Sequence, residues 1–372
     1  MKSSLLKSSL AILGLGLAAW AGNASADDAG VLFTMDNASA ANHVLVISRT
    51  GGALSVTHTY DTGGLGLGTA NGLPSQGAVL LSPDSHWLFV CNPGSDEISV
   101  FETTPGGGLE LTDKTASGGH QPVSLTLKGN LLYVLNAGGA AATPDNITAL
   151  HFGCGNLTML PGSSRALSAD KTTPTQVSFS RGGDALVVTE RDTSVIDTWV
   201  VDHDGMATDH QMFASIGIWP FGFAVGRGDR LFVSEAAQGA PDGSSVSSYQ
   251  LSDMAGLSVI SGAVPTEQTA ACWLVVTFDE RYAYAADAGS QALTGFRVHH
   301  DGSLERLDAS GLTAATGAHP ADMAFSHDGR LLFCLNNGDG TISAFKVKSN
   351  GALESLTGLT GLPTTAAGLA AW

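Results

Sequence analysis

The sequence predicts an all-β chain folded as a seven-bladed β-propeller of four-stranded blades. A phrase of the form Gly-x-Leu, or a close relative of it, ends one unit after another, at Leu54, Leu109, Leu157, Met206, Leu257, Leu304 and Leu353. The interval of about 50 residues suits a propeller blade and exceeds most helical repeats. Within each unit, strand-length apolar segments alternate with Asp-Gly and Asn-Gly turns, which are hairpin signals, and no stretch holds a helical period long enough to compete. With 43% apolar residues and 47 glycines, the chain can fill a large core and make many tight turns.

The order inside a unit is constant: a proline-led strand, an Asp/Gly turn, an apolar strand, a polar turn, an alternating strand, a turn and a last strand. Blade seven runs from Pro320 through Ser326-His-Asp-Gly-Arg330, Leu331-Leu-Phe-Cys-Leu-Asn336 and Thr341-Ile-Ser-Ala-Phe-Lys-Val347. Blade two repeats the frame from Pro74 through Trp87-Leu-Phe-Val-Cys-Asn92 and Glu97-Ile-Ser-Val-Phe101. Blade one begins at Val31 without its proline-led strand. That strand is expected from the far end, because Gly361-Leu-Pro363-Thr-Thr-Ala-Ala-Gly-Leu369 matches Gly72-Leu-Pro74-Ser-Gln-Gly-Ala-Val-Leu80. The C-terminal strand would then complete blade one and close the ring, leaving no sheet edge dangling.

Ahead of the repeats, Lys2 and Lys7 precede an apolar run from Leu10 to Trp20 that ends in Ala24-Ser25-Ala26. This is a signal-peptide pattern, with cleavage expected after Ala26 and residues 27–372 left as one propeller domain in a periplasm or outside the cell. The run is too short to span a bilayer and no later segment is longer, so no membrane insertion is expected. With 17 Lys+Arg against 34 Asp+Glu, the net charge of −17 excludes nucleic acid and anionic membranes as partners. Cys91, Cys154, Cys272 and Cys334 lack zinc spacing and the density of a stapled scaffold. Disulfides remain open, with at least two of the four expected as buried free thiols. A ring closed within one chain is expected to be monomeric.

The repeated unit, as in Ser326-His-Asp-Gly-Arg330 with Ile342-Ser-Ala-Phe-Lys-Val347, resembles the lactonase family of seven-bladed propellers, which includes 6-phosphogluconolactonases and carboxymuconate-lactonizing enzymes. Thr189-Glu-Arg-Asp-Thr-Ser194, Trp219-Pro-Phe-Gly-Phe223, Phe232-Val-Ser-Glu-Ala236 and Thr269-Ala-Ala-Cys-Trp273 are similar to an exported bacterial subgroup described as lactonases or carboxymuconate cyclases. The resemblance covers the chain after the leader and implies the fold, a small lactone or organic acid as substrate, and no metal or other cofactor. An acidic chain with a leader departs from the cytosolic branch, so a phosphorylated sugar is not the expected substrate.

Propeller geometry brings the turns between second and third strands and the connections between blades to one face, around the mouth of the axial channel. The second strands end in Asn92, Asn136, Glu190, Glu235, Asp287 and Asn336, so blades four to six carry carboxylates where the others carry Asn. Arg191 follows Glu190, and the segments leading into the blades add His120, Trp219, Trp273, His319 and Asp322. For a lactone, Glu190 or Glu235 is the expected base on water, with Arg191 or a histidine on the carbonyl. His120, Trp219, Trp273, Asp287, His319 and Asp322 are the expected substrate contacts. The same site run backwards would close a lactone, and residue types do not choose the direction.

Each group also has a structural reading. Asn and Asp at strand ends form turns with their own backbone, Arg191 can pair with Asp192, and Trp219 and Trp273 can pack between blades. His120 and His319, each entering a blade beside a proline, can be inherited with the repeat. Glu190, Glu235 and Asp287 together offer oxygens for Ca²⁺, although no EF-hand or HExxH pattern is present. The rival function is a non-catalytic propeller that binds a protein, peptide or glycan on its carboxylate-rich face. Convergence of Glu190, Arg191 and Glu235 on an enclosed pocket discriminates between the two.

Overall fold

The computed structural model describes residues 30–139 and 143–372; the expected leader and its cleavage point lie outside the described residues. Seven antiparallel sheets follow one another along the chain, each built of four strands in sequential order, with short extra strands at Arg165–Ala166 and Ala314–Ala315. The strand Ala367–Ala371 pairs with Gly30–Met35, placing Phe33 opposite Ala370 and Leu32 opposite Ala371. Val31 and Trp372 complete the seam, Trp372 N donating to Val31 O at 2.8 Å. Blade one is therefore made from both ends of the described chain, as the sequence match between 361–369 and 72–80 predicts.

The second strands are the most deeply packed, and every residue of Tyr282–Asp287 and Ala185–Glu190 is buried. Apolar side chains from one blade meet the next. Phe89 and Phe152 contact edge to face at 4.9 Å between blades two and three, and Tyr133 and Phe179 at 5.7 Å between three and four. Tyr133 and Tyr284 hold corresponding places in blades three and six. Each spends its hydroxyl on an outer turn of the following blade, at Gly205 O (2.8 Å) and Gly351 O (2.9 Å).

Blade two departs from the expected frame. Its innermost strand is only Val79–Leu81, because Ser75, Gln76 and Gly77 leave the sheet and fill the channel. The neighbours of blade two in the ring are blades one and three, so its contacts with four, six and seven must cross the axis. Gln76 N donates to Thr175 O at 2.9 Å. The Gln76 amide both donates to Leu274 O and accepts from Leu274 N at 2.9 Å. Gly77 N donates to the Asp322 carboxylate at 3.3 Å, and Trp273 Nε1 donates to Ser75 O at 2.8 Å. Gly222 makes room for this plug: a Cβ there would stand 2.1 Å from Gln76 Oε1 and 2.8 Å from Cys272 O.

Removing residues 363–372 strips blade one of its inner strand and uncovers a sheet edge, so the truncated chain is expected to lose its cooperative thermal transition. A melt with the midpoint and amplitude of the full chain would contradict closure by this strand.

Candidate functional site

The six strand-end residues share one slot. Asn136, Glu190, Glu235, Asp287 and Asn336 each lie opposite the first residue of their blade's inner strand, at Pro122, Pro174, Pro220, Ala271 and Pro320. All six, Asn92 included, are fully buried. A polar group sealed from water needs partners inside the protein, and these find them on neighbouring strands or on the connection arriving from the preceding blade, except that one oxygen each of Asn136, Asp287 and Asn336 has none. Asn92 accepts from Asn42 Nδ2 at 2.9 Å and Thr62 Oγ1 at 2.7 Å. Glu190 accepts from Ser168 N at 2.9 Å, from Thr193 Oγ1 at 2.5 Å and from the Ser168 hydroxyl. Glu235 accepts from Gly217 N at 3.0 Å and from the Ser245 hydroxyl, and Asp287 accepts from Thr294 Oγ1 at 2.7 Å. Glutamate thus replaces asparagine as a longer version of the same clasp.

The sequence reading places Glu190 and Glu235 at the mouth as bases on water; the structure buries both, between their own blade and the connection leading into it. Asp287 and Asp322 are likewise internal: Asp322, on the axis, accepts from Gly77 N and from Gly368 N (3.1 Å). Nor do Glu190, Glu235 and Asp287 gather around a common point, and no cluster of three His, Cys, Asp or Glu side chains suited to a metal occurs among the described residues. Burial raises all four carboxyls, Glu190 to about 8 with Asp197 adding to the rise, Asp322 to about 7, Asp287 well above the usual range and Glu235 upward.

The mouth itself is built by a second repeated device. In blades three to seven the residue before the inner strand has a left-handed backbone: Gln121 (φ 54°), Thr173 (51°), Trp219 (62°), Ala270 (58°) and His319 (53°). Such a φ is costly for residues other than glycine. It is held by the residue following each strand-end clasp, whose N–H donates to its carbonyl: Ala137 to Gln121, Arg191 to Thr173, Ala236 to Trp219, Ala288 to Ala270 and Asn337 to His319, at 2.8–3.2 Å. The result is a ring of aimed side chains.

Two of the expected residues, Trp219 and His319, lie on this ring, and Arg191 is the residue that holds Thr173. Arg191 keeps 24% of its side chain exposed, pairs with Asp192 at 3.0 Å and lies 4.7 Å above the Trp219 ring. His319 is half-buried, stands edge-on to Trp273 at 6.0 Å and bonds through Nδ1 to Asn337 Oδ1 at 2.8 Å. Trp273 is buried beneath the mouth, against Phe221 at 5.0 Å, with its N–H spent on the plug. Cys272 is half-buried beside it, but burial pushes its thiol up to about 12, so it is no nucleophile at neutral pH. Cys91 and Cys334 are the buried free thiols expected from the sequence, and Cys154 and Cys272 are also unpaired.

His120 and His319 are not equivalent, contrary to the sequence expectation. His319 precedes its proline directly, whereas Gln121 intervenes before Pro122, and one residue of offset turns a side chain to the other side. His120 therefore faces away from the axis, bonded to Asp96 at 2.6 Å on an outer groove. The spacing Gly-x-x-Pro at Gly119, Gly217 and Gly317 would have set this register. It also marks the clasps, since a Cβ on Gly217 would lie 2.1 Å from Glu235 Oε2. Gln76 and Asn337 were missed altogether. Gly222 is the trace that the first leaves in the sequence. On the opposite face, a cavity of about 440 Å³ opens between blades one and seven, lined by Val31, Phe333 and Trp372.

A carboxyl with a raised folded pKa holds its proton where the unfolded chain has released it. Its stabilising effect is complete below about pH 4.5 and is lost as pH rises through about 8 for Glu190. Glu190→Gln, which cannot titrate, is therefore expected to flatten the fall in stability between those limits, by up to about 1.4 kcal/mol per pH unit. Denaturant unfolding at several pH values reads this, and an unchanged slope would contradict the clasp.

Comparison with known proteins agrees with the architecture. The sequence matches the family described as "Lactonase, 7-bladed beta-propeller" over residues 26–161 and 244–366. A 6-phosphogluconolactonase of Serratia proteamaculans is 34% identical over 61 residues, which is 16% of this chain and only 18% of that relative's length. Among solved structures, the periplasmic gluconolactonase of Pseudomonas aeruginosa superposes with a TM-score of 0.69 at 17% identity, covering 91% of this chain and 98% of that one. A candidate 6-phosphogluconolactonase of Bacteroides fragilis gives 0.68 at 16% identity, covering 94% and 99%. At such identities the structures speak to the fold alone, while the family match spans well over half the sequence. The chain belongs to the seven-bladed β-propeller lactonase family.

Proposed function

We propose that the protein is an exported enzyme that hydrolyses a small organic or sugar-derived lactone at the mouth formed by Arg191, Trp219 and His319. The leader pattern and the acidic charge support export to a periplasm or the cell exterior. The observation that carries the chemistry is the orientation of His319. Asn337 Nδ2 donates to Asn71 O at 2.8 Å, which turns its Oδ1 toward His319. An amide oxygen only accepts, so His319 Nδ1 carries the hydrogen, and in the neutral imidazole Nε2 keeps its lone pair. Asn337 is a positioning residue, and Nε2 is the base.

In this reading the lactone ring lies against Trp219 with its carbonyl oxygen toward Arg191. His319 Nε2 takes a proton from water as the oxygen attacks the carbonyl carbon, and the guanidinium stabilises the oxyanion. Collapse breaks the ring C–O bond, the imidazolium returns its proton to the departing alkoxide, and the products are a hydroxyl and a carboxylic acid that releases its proton to solvent. Every group invoked belongs to the chain, and no cofactor enters a step. A non-catalytic propeller that binds a protein, peptide or glycan is the second reading, favoured by the enclosure of Glu190 and Glu235.

A pH-stat screen against aldonolactones and muconolactones tests the first reading. Arg191→Met and His319→Gln are each expected to lower kcat/KM at least about a hundredfold with unchanged melting temperature, while Glu235→Gln retains activity if folded. Absence of turnover on every lactone would leave the binding propeller as the better account.

A further inference from the structure

Blade four departs from the other blades at a repeated backbone joint. The second residue after the strand-end clasp donates its N–H to the carbonyl two residues before the inner strand: Gly138 to His120, Asp192 to Thr172, Ala237 to Ile218, Gly289 to Thr269 and Gly338 to Ala318, at 2.9–3.2 Å. Four blades make this bond with glycine or alanine, so it needs no side chain, and the aspartate of blade four is an addition to it. The residue beside it is equally out of pattern. Thr173 is the one β-branched residue among the five left-handed ones, and a branched Cβ makes that conformation the most strained of the set. Strain kept at a channel mouth points to a use.

The contacts show what the two side chains do. The Thr173 hydroxyl donates to Asp192 Oδ2 at 2.6 Å, and Asp192 Oδ1 accepts from Arg191 Nε at 3.0 Å. Thr172, one residue earlier, is anchored in turn, its N–H and hydroxyl both donating to the buried Asp145 carboxylate at 2.6 and 2.9 Å. Burial pushes the Asp192 carboxyl up, but the bonds from Thr173 and Arg191 outweigh it and hold the group below its usual range, so it stays a carboxylate. With Nε taken and the guanidinium over Trp219, the remaining edge of Arg191 is its pair of terminal nitrogens, and neither has a hydrogen-bond partner among the described residues. That edge matches two oxygens on one carbon. We infer that Thr173 and Asp192 are positioning residues, which fix Arg191 so that its terminal nitrogens receive the carbonyl oxygen of a lactone and both carboxylate oxygens of the ring-opened acid. The ligand's identity rests on the lactone reading of the mouth; the positioning rests on these contacts alone.

The side-chain NMR signal of Arg191 reads the positioning without any ligand. Its Nε–H is expected to exchange slowly with water. Asp192→Ala, which gives blade four the residue of blade five, and Thr173→Val are each expected to speed that exchange at least about tenfold, and Thr173→Ser to restore it. Binding of gluconate and of 4-hydroxybutanoate, followed by titration calorimetry, reads the ligand edge. Asp192→Ala and Thr173→Val are expected to weaken it roughly three- to tenfold, and to lower kcat more than they raise KM on the matching lactones. Thr173→Gly separates positioning from support, because it relieves the left-handed backbone. It is expected to melt no lower than the unaltered protein while losing as much affinity as Thr173→Val. Unchanged Nε–H exchange in Asp192→Ala, a melting temperature that falls together with affinity in Thr173→Gly, or no binding of either acid to the unaltered protein would overturn the inference. Affinity that falls in these variants with no turnover of any lactone would uphold the positioning and sink the hydrolase reading.

Discussion

A polar side chain shut inside a blade must be satisfied there, and in six of the seven blades that obligation falls on the last residue of the second strand. Asn92, Asn136, Glu190 and Glu235 bond the connection arriving from the blade before, whereas Asp287 and Asn336 bond their own blade, and Asn136, Asp287 and Asn336 each keep one buried oxygen without a partner. The connection is thereby drawn onto the strand end. In blades three to seven the next residue's N–H then captures the carbonyl of a left-handed residue, whose side chain is aimed by that conformation. The working face is a consequence of how the blades are stitched together. Because each clasp is buried, exchanging one for a poorer partner would expose an unsatisfied group at a cost of about 1–3 kcal/mol.

The plug adds a constraint of a different kind. Neighbouring blades hold one another by side-chain packing, but Gln76 and Gly77 tie blade two to blades on the far side of the axis. The channel is closed beneath the mouth, with the Trp273 indole N–H fastened to Ser75. A ligand on this face would therefore meet a floor beneath the ring of side chains.

Fold and site were legible to different degrees. The fifty-residue period, the Gly-x-Leu phrase and the match between the chain's end and blade two made the seven blades and their closure readable, because repetition averages over local exceptions. The carboxylates at Glu190 and Glu235 stand out in the sequence because they break the asparagine pattern. Residue type alone does not tell a side chain pointing into the mouth from one pointing into its own blade. His120 and His319 illustrate the limit, since one residue of register sends the first to Asp96 and the second to Asn337. Gln76 lay in a stretch that reads like any leading strand, and only the glycine at 222, on a strand in another blade, records the space that it fills.

The account's central claim is that ligands act at the mouth, on Arg191 and His319, and not at the enclosed acids. A crystal structure with a ring-opened hydroxy acid bound tests this most directly. The account predicts the carboxylate on the Arg191 guanidinium and the hydroxyl toward His319 Nε2, with the Glu190 and Glu235 clasps intact. A ligand seated against a displaced Glu190 or Glu235, or lodged in the opposite-face cavity beside Trp372, would contradict it.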